Sequence, residues 1–117
     1  VDETGSVWGS MNLNGQQLPE YQNGAWTIPA EDRQVAVIHT LTIDPARAGQ
    51  GLARQMVAFA EDTARRQGKT VLRLDTGTEN LPANRMYPAL GYKAAGTVDT
   101  FFMGDSQRPL NLYEKKL

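Results

Sequence analysis

Residues 38–54, IHTLTIDPARAGQGLAR, constrain the fold more than any other stretch of the chain. They close an apolar run, Val35 to Ile43, with Asp44 and Pro45, and a proline there prevents continuation as an interior strand. A short turn leads to Gly49-Gln50-Gly51, and Leu52 opens an amphipathic segment. The reading is a buried strand that runs through a glycine turn onto a helix N-terminus. The first N–H groups of such a helix lack internal partners and carry the positive end of the helix dipole. Glycines expose those groups, because no Cβ stands in front of them. The stretch is therefore a candidate anion cradle.

Several glycine-loop chemistries compete for it. A P-loop needs four residues between its glycines and then Gly-Lys-Ser/Thr, and no such string occurs. A dinucleotide fingerprint needs a third glycine where Arg54 stands, although Asp75 lies near the spacing of its acidic partner. A purely structural strand–turn–helix would use the glycines for geometry alone. The remaining pattern is (Gln/Arg)-x-x-Gly-x-(Gly/Ala), the pyrophosphate loop of the GNAT superfamily of acyl-CoA-dependent acyltransferases. Ala48-Gly49-Gln50-Gly51-Leu52-Ala53 resembles it at Gly51 and Ala53. It departs at Ala48, with Arg47 one residue early, which removes a side-chain contact and leaves a backbone cradle.

Bulk properties narrow the class. A chain of 117 residues with net charge −1 reads as one domain, with no electrostatic case for a nucleic-acid or membrane partner. No apolar run approaches a membrane span, and no signal peptide is visible. The absence of cysteine excludes a disulfide scaffold and a thiol nucleophile, and a single histidine argues against a histidine-based metal site. The expected setting is cytoplasmic, with no metal.

In chain order, Ser6 to Asn14 reads as a strand ending in an Asn-Gly turn, with Val7, Met11 and Leu13 in one parity. A short strand is expected around Tyr21 to Ile28, before Pro29. Leu52 to Gln67 is a helix with Leu52, Met56, Phe59, Ala60 and Ala64 on its apolar face and Gly68 as terminator. Thr70 to Leu74 is the next strand, giving a βαβ unit and a parallel pair. Glu79 to Leu90 is a second helix, with Pro82 in its first turn and Pro88 near its end. Tyr92 to Val98 and Leu110 to Glu114 are strands joined through Met103 to Pro109.

The second informative stretch is Asn80 to Tyr92, NLPANRMYPALGY. Asn80, Asn84 and Tyr87 share one helix face, and two amides with a phenol do not make a core face. The stretch resembles the GNAT pattern N-x-x-A-x-x-x-Y-x-x-x-G-(F/Y) at Asn80, Ala83, Tyr87, Gly91 and Tyr92. Tyr113 to Leu117 is similar to the closing strand of that family. The resemblance spans about residues 6 to 117 and implies an α/β, α+β mixed-sheet fold. In that acyl-CoA N-acyltransferase (GNAT-like) fold a central mixed sheet is flanked by helices, here short at the N-terminus.

The resemblance also implies roles. The backbone of Leu41 and Ile43 would pair with the pantetheine arm of acetyl-CoA. The N–H groups of Gly49, Gln50, Gly51, Leu52 and Ala53 would take its pyrophosphate. Asn80 and Asn84 would face the cofactor, and Tyr87 would lie near the thioester sulfur. A phenol with a pKa of about 10 stays protonated there and can donate to a departing thiolate. Pro88 stands where an acidic residue is common and could turn Tyr87.

His39, in Ile38-His39-Thr40-Leu41, resembles the His-Ala-Leu segment of aralkylamine acetyltransferases and is the candidate base; a structural histidine is the alternative. Tyr21 and Trp26 either line the acceptor side or cover the sheet. The expected activity is transfer of an acetyl group from acetyl-CoA to a primary amine, of a small molecule or a peptide, by direct attack. The alternative is a non-catalytic acyl-CoA-binding or regulatory module. The short N-terminal portion leads to an expectation about context. Either residues 1–117 are the C-terminal part of a longer domain, or a homodimer completes the sheet.

Overall fold

Valine and isoleucine dominate Val35–Ile43, and this segment forms the central strand β2 of the computed structural model, which describes residues 8–47, 49–101 and 107–117. Before it comes β1 (Gly9–Asn14), and after it follow α1 (Leu52–Arg66), β3 (Val71–Gly77), α2 (Leu81–Ala89), β4 (Lys93–Phe101) and β5 (Gln107–Lys116). The strands make one mixed sheet in the order β1-β2-β3-β5-β4. Only β2 and β3 are parallel, with α1 as their connector, as the βαβ reading requires.

That parallel pair is short. Its partners run from Val35 with Val71 to Ile38 with Leu74, and there the pairing stops. β2 nevertheless continues alongside β1 to Ile43, and β3 continues alongside β5 to Gly77. The two central strands therefore fork after Ile38 and Leu74. Each keeps its outer partner, and its inner edge has no strand partner among the described residues.

A bulge in β2 sets what lines the fork. Ser10 pairs with Thr42 and Asn12 with His39, so Met11 opposes both Thr40 and Leu41. One extra residue inverts the alternation of side chains along a strand. Ile38 belongs to the core under the helices, and beyond the bulge Leu41 and Ile43 line the same cavity as Ile38.

Two apolar cores sandwich the sheet. On the helix side, Ala36, Ile38, Leu72 and Leu74 pack with Val57, Ala60 and Ala64 of α1 and with Tyr87 of α2. On the other side, Val35, Val37, Ala95 and Leu112 lie under Tyr21 and Trp26. Fully burying a leucine such as Leu72 or Leu112 contributes about 2 to 3 kcal/mol each.

Three expectations change. Residues 21–28 are not a strand: Pro19–Asn23 is a turn of 3-10 helix, opened by Pro19, and Tyr21 N donates to Leu18 O at 2.9 Å. The rest of that segment is clasped by buried Glu114, whose carboxylate accepts from Thr27 N at 2.9 Å and Ile28 N at 2.8 Å. Phe59 is 65% exposed, because the inward face of α1 is set by Val57, Ala60, Glu61 and Ala64. β3 extends to Gly77, because β5 pairs with it along its whole length. Ser6, Val7, Ala48 and residues 102–106 of the β4–β5 connection lie outside the described residues.

Candidate functional site

The fork and α2 enclose a cavity of about 440 Å³, lined by Ile38, Leu41 and Ile43 from β2, Asp75 from β3, and Asn80 and Tyr87 from α2 and its cap. Its apolar wall includes Ile38, Leu41 and Ile43 of β2 and Ala83 and Met86 of α2. At its mouth a second hollow of about 330 Å³ contains Gly49, Gly51, Leu52, Ala53, Arg47 and Arg54.

The glycine turn has the geometry of an anion cradle. Gly49 and Gly51 have φ of +81° and +75°, and a Cβ built on either would meet nothing within 4 Å among the described residues. The space in front of the turn is thus open. Gly51 is the N-cap of α1 and offers no side-chain cap, so the first-turn N–H groups are not claimed by one. The Arg47 guanidinium lies 4.1 Å from the centroid of the Trp8 ring, beside the same turn. These features fit a diphosphate at the mouth with an elongated apolar-walled arm in the fork. Beyond Ile38 the inner edge of β2 has no strand partner among the described residues.

Tyr87 is buried in the helix-side core, 5.6 Å between ring centroids from both Tyr92 and Tyr113. Its pKa is pushed up to about 12, by burial first and then by the negative charge of Asp75 and by Tyr113. It is therefore a protonated donor throughout the neutral range. α2 holds it there through its cap: Asn80 Oδ1 accepts from Ala83 N at 3.2 Å, and Pro82 occupies the first turn.

Asn80 and Asn84 serve different ends. Asn80 lines the cavity, whereas Asn84 does not. The Asn84 amide donates to Gly77 O at 3.0 Å and Asn80 O at 2.9 Å, and accepts from Asn111 Nδ2 at 3.0 Å. It fastens α2 to the ends of β3 and β5.

His39 follows Val35 and Val37 in parity and so lies on the sheet face opposite Tyr87. Its Nε2 is 2.9 Å from Asn14 Oδ1, and it lines a separate hollow with Asn12, Gln16 and Pro19. Tyr21 covers the second core, and Trp26 packs on it with ring centroids 5.2 Å apart. Both line a hollow of about 500 Å³ with Gln17, Asp32 and Arg73. There the Arg73 guanidinium sits 4.3 Å from the centroid of the Trp26 ring, and its Nη1 donates to Gln17 Oε1 at 2.6 Å.

The sequence reading used Asp75 only to weigh a dinucleotide fingerprint. It is the first residue of β3 past the last pair with β2, so its carboxylate sits at the fork itself. It lines the cavity that contains Tyr87 and accepts a hydrogen bond from the Tyr21 hydroxyl at 2.6 Å. An acid in the apolar string VLRLDTG was the available clue. Among the described residues no group of acidic, histidine or cysteine side chains could hold a metal, and no helix is long and apolar enough to cross a membrane.

Comparison with known proteins adds an independent line. The family model described as acetyltransferase (GNAT) family matches residues 4–92. An uncharacterized N-acetyltransferase of Methanocaldococcus jannaschii is 32% identical over 68 residues, which are 58% of this chain and 30% of that protein. Among solved structures, yncA of Salmonella typhimurium, assigned as an acetyltransferase and solved with its cofactor acetyl-CoA, superposes with a TM-score of 0.72 at 21% identity, covering 98% of this chain and 61% of that one. The ribosomal-protein-alanine N-acetyltransferase of Brucella melitensis gives 0.75 at 18% identity, covering 100% and 66%. These structures establish the fold. The chain spans about a third of the archaeal relative and under two thirds of yncA.

Proposed function

Since the chain belongs to the acetyltransferase (GNAT) family, we propose that it transfers an acetyl group from acetyl-CoA to a primary amine by direct attack on the thioester. The observation that carries this reading is the fork between β2 and β3, with an open glycine cradle at its mouth and Tyr87 on its wall. When bound, acetyl-CoA supplies the activated acyl group. The chain's own residues do the rest. The N–H groups of Gly49 to Ala53 hold the diphosphate, and the backbone of Leu41 and Ile43 pairs with the arm. Asn80 lines that arm's path. Holding amine and thioester side by side supplies much of the rate through proximity and orientation. Tyr87, protonated at neutral pH, donates to the departing sulfur.

The proposal includes a cytoplasmic setting, no metal, and a small-molecule or peptide amine as acceptor. It also includes a completing strand on β1, which pairs on one side only among the described residues. That strand would come from a second copy or from further chain.

The test is thiol release from acetyl-CoA against a panel of primary amines, beside a calorimetric titration with CoA. Saturable binding with amine-dependent thiol release is expected. Binding without turnover across the panel would favour an acyl-CoA-binding or regulatory module, and no binding would overturn the cradle.

A further inference from the structure

We propose that Arg73 anchors a carboxylate on the acceptor, so that the amines acetylated by this chain are ω-amino acids or short peptides, with the acid several bonds away from the amine. This assignment rests on the acetyl-transfer reading and names the class of its second substrate.

Among the described residues, the lining of the Tyr87 cavity includes no cation. A carboxylate on the acceptor therefore needs a counter-charge from outside it. Two residues before Asp75 on β3, Arg73 is 8% exposed and lines the hollow of about 500 Å³ shared by Tyr21 and Trp26. A cation buried to that degree ordinarily has its N–H groups matched. Here the Trp26 ring stacks on the guanidinium at 4.3 Å, and Nη1 donates to Gln17 Oε1. The Nε atom is buried and has no acceptor among the described residues.

The acids near Arg73 are engaged otherwise. Asp32 accepts from Gln17 Nε2 at 3.1 Å, and Glu114 is clasped by Thr27 and Ile28. Their charges offset only part of the effect of burial, which holds the guanidinium below its ordinary pKa. The guanidinium lacks an anionic acceptor of its own. A carboxylate supplies one, with two oxygens that match the planar fork. Other cations serve different ends. Arg47 and Arg54 belong to the glycine cradle, Lys115 is bound by Glu61 at 3.1 Å, and Lys69 donates to Arg33 O at 2.8 Å.

Position gives the length of the acceptor. Arg73 and Asp75 share a parity on β3, about 7 Å apart along the strand. Asp75 nevertheless borders the Tyr87 cavity, because β2 and β3 part beside it. Tyr21 spans the interval: it lines the hollow, and its hydroxyl reaches Asp75 Oδ2 at 2.6 Å. An acceptor lying along Tyr21 has its acid at Arg73 and its amine at the fork. That span corresponds to about five bonds between nitrogen and carboxyl carbon, and an α-amino acid is too short for it.

The experiment measures kcat/KM for matched acceptors, each carboxylate beside its carboxamide, with rates referred to free amine. The series is glycine, 4-aminobutyrate, 6-aminohexanoate and glycylglycine. Wild type is compared with Arg73→Gln, Arg73→Lys and Asp32→Asn, and thermal melting and CoA affinity report the fold. In wild type the carboxylate should exceed its carboxamide by at least about 10-fold for the longer acceptors, and by little for glycine. Arg73→Gln should bring that ratio to about 1. Arg73→Lys keeps the charge without the planar fork and should give an intermediate ratio. Asp32→Asn, at an exposed position in the wall of the hollow, should raise the ratio about twofold by removing a negative charge. A packing defect lowers both members of a pair and leaves their ratio alone, so the ratio separates recognition from support of Trp26 and Gln17. If Arg73→Gln fails to fold, the ratios in wild type and Asp32→Asn decide. Thiol release without preference for the longer carboxylates would overturn the anchor and leave acetyl transfer standing. A preference that survives in folded Arg73→Gln would do the same. Failure of the wild type to release thiol with any amine would overturn both.

Discussion

Tyr113 donates its hydroxyl to Oδ1 of Asn84 at 2.7 Å, so the last strand holds the helix that carries Tyr87. With Asn111 on the same oxygen and two backbone carbonyls on its Nδ2, the amide is fully used. Asn84→Ala should cost about 2 to 3 kcal/mol of stability, since several partners lose their mate at once. Turnover should fall along with it, because the placement of Tyr87 depends on α2. Urea unfolding with an unchanged m-value and a lower midpoint checks the first part, and steady-state rates check the second.

The glycine turn gives a second prediction. Gly51→Val and Gly49→Val place a branched side chain at φ of +75° and +81°, and fill space that no described residue occupies. CoA affinity should drop at least 10-fold, while affinity for acetyl-pantetheine, which lacks the diphosphate, should change little. Calorimetry with both ligands separates a blocked cradle from a damaged fold.

Tyr87→Phe removes the proton donor and leaves the ring. Turnover should fall about 100-fold or more, with CoA binding within about 2-fold of wild type. Equal turnover by the phenylalanine variant would take Tyr87 out of the mechanism.

The buried tyrosines also set an alkaline limit. Tyr87 is raised from 10 to about 12, and Tyr92 is raised further, by burial and by its hydrogen bond to Glu61. A folded-state pKa above the unfolded value means that the native state holds the proton more tightly. The stability so gained is complete below about pH 10 and is lost as pH rises toward the folded value. Denaturation midpoints should therefore fall between about pH 10 and 12. Tyr87→Phe should flatten that fall, by an amount on the order of 2 to 3 kcal/mol at its upper end.

Local chemistry made the strand–glycine–helix unit and α2 legible in the sequence. A valine-rich run, positive-φ glycines, Asn80 as cap and Pro82 in the first turn act within a few residues of themselves. Legibility failed where partners are distant. Tyr21 and Asp75 are 54 positions apart, so nothing near either residue announces their bond. Residues 21–28 have the composition of a strand, yet Pro19 starts a helical turn and Glu114 holds the remainder from 86 or 87 positions away. Phe59 falls on the helical period, but its place on α1 faces away from the sheet. Asn84 bonds to Asn111 and Tyr113, 27 and 29 positions away on the last strand, and nothing near Asn84 announces those bonds.

The bulge opposite Met11 has a consequence for how the chain tolerates change. Leu41 and Ile43 reach the cavity because β2 is one residue longer than its partner across Thr40 and Leu41. The lining is therefore fixed by counting as well as by residue type. Exchanging leucine for methionine at position 41 alters shape alone, whereas deleting a single residue between His39 and Thr42 shifts the reading frame of the strand's faces. Every side chain from there to Asp44 would change sides while the amino-acid composition stayed nearly the same.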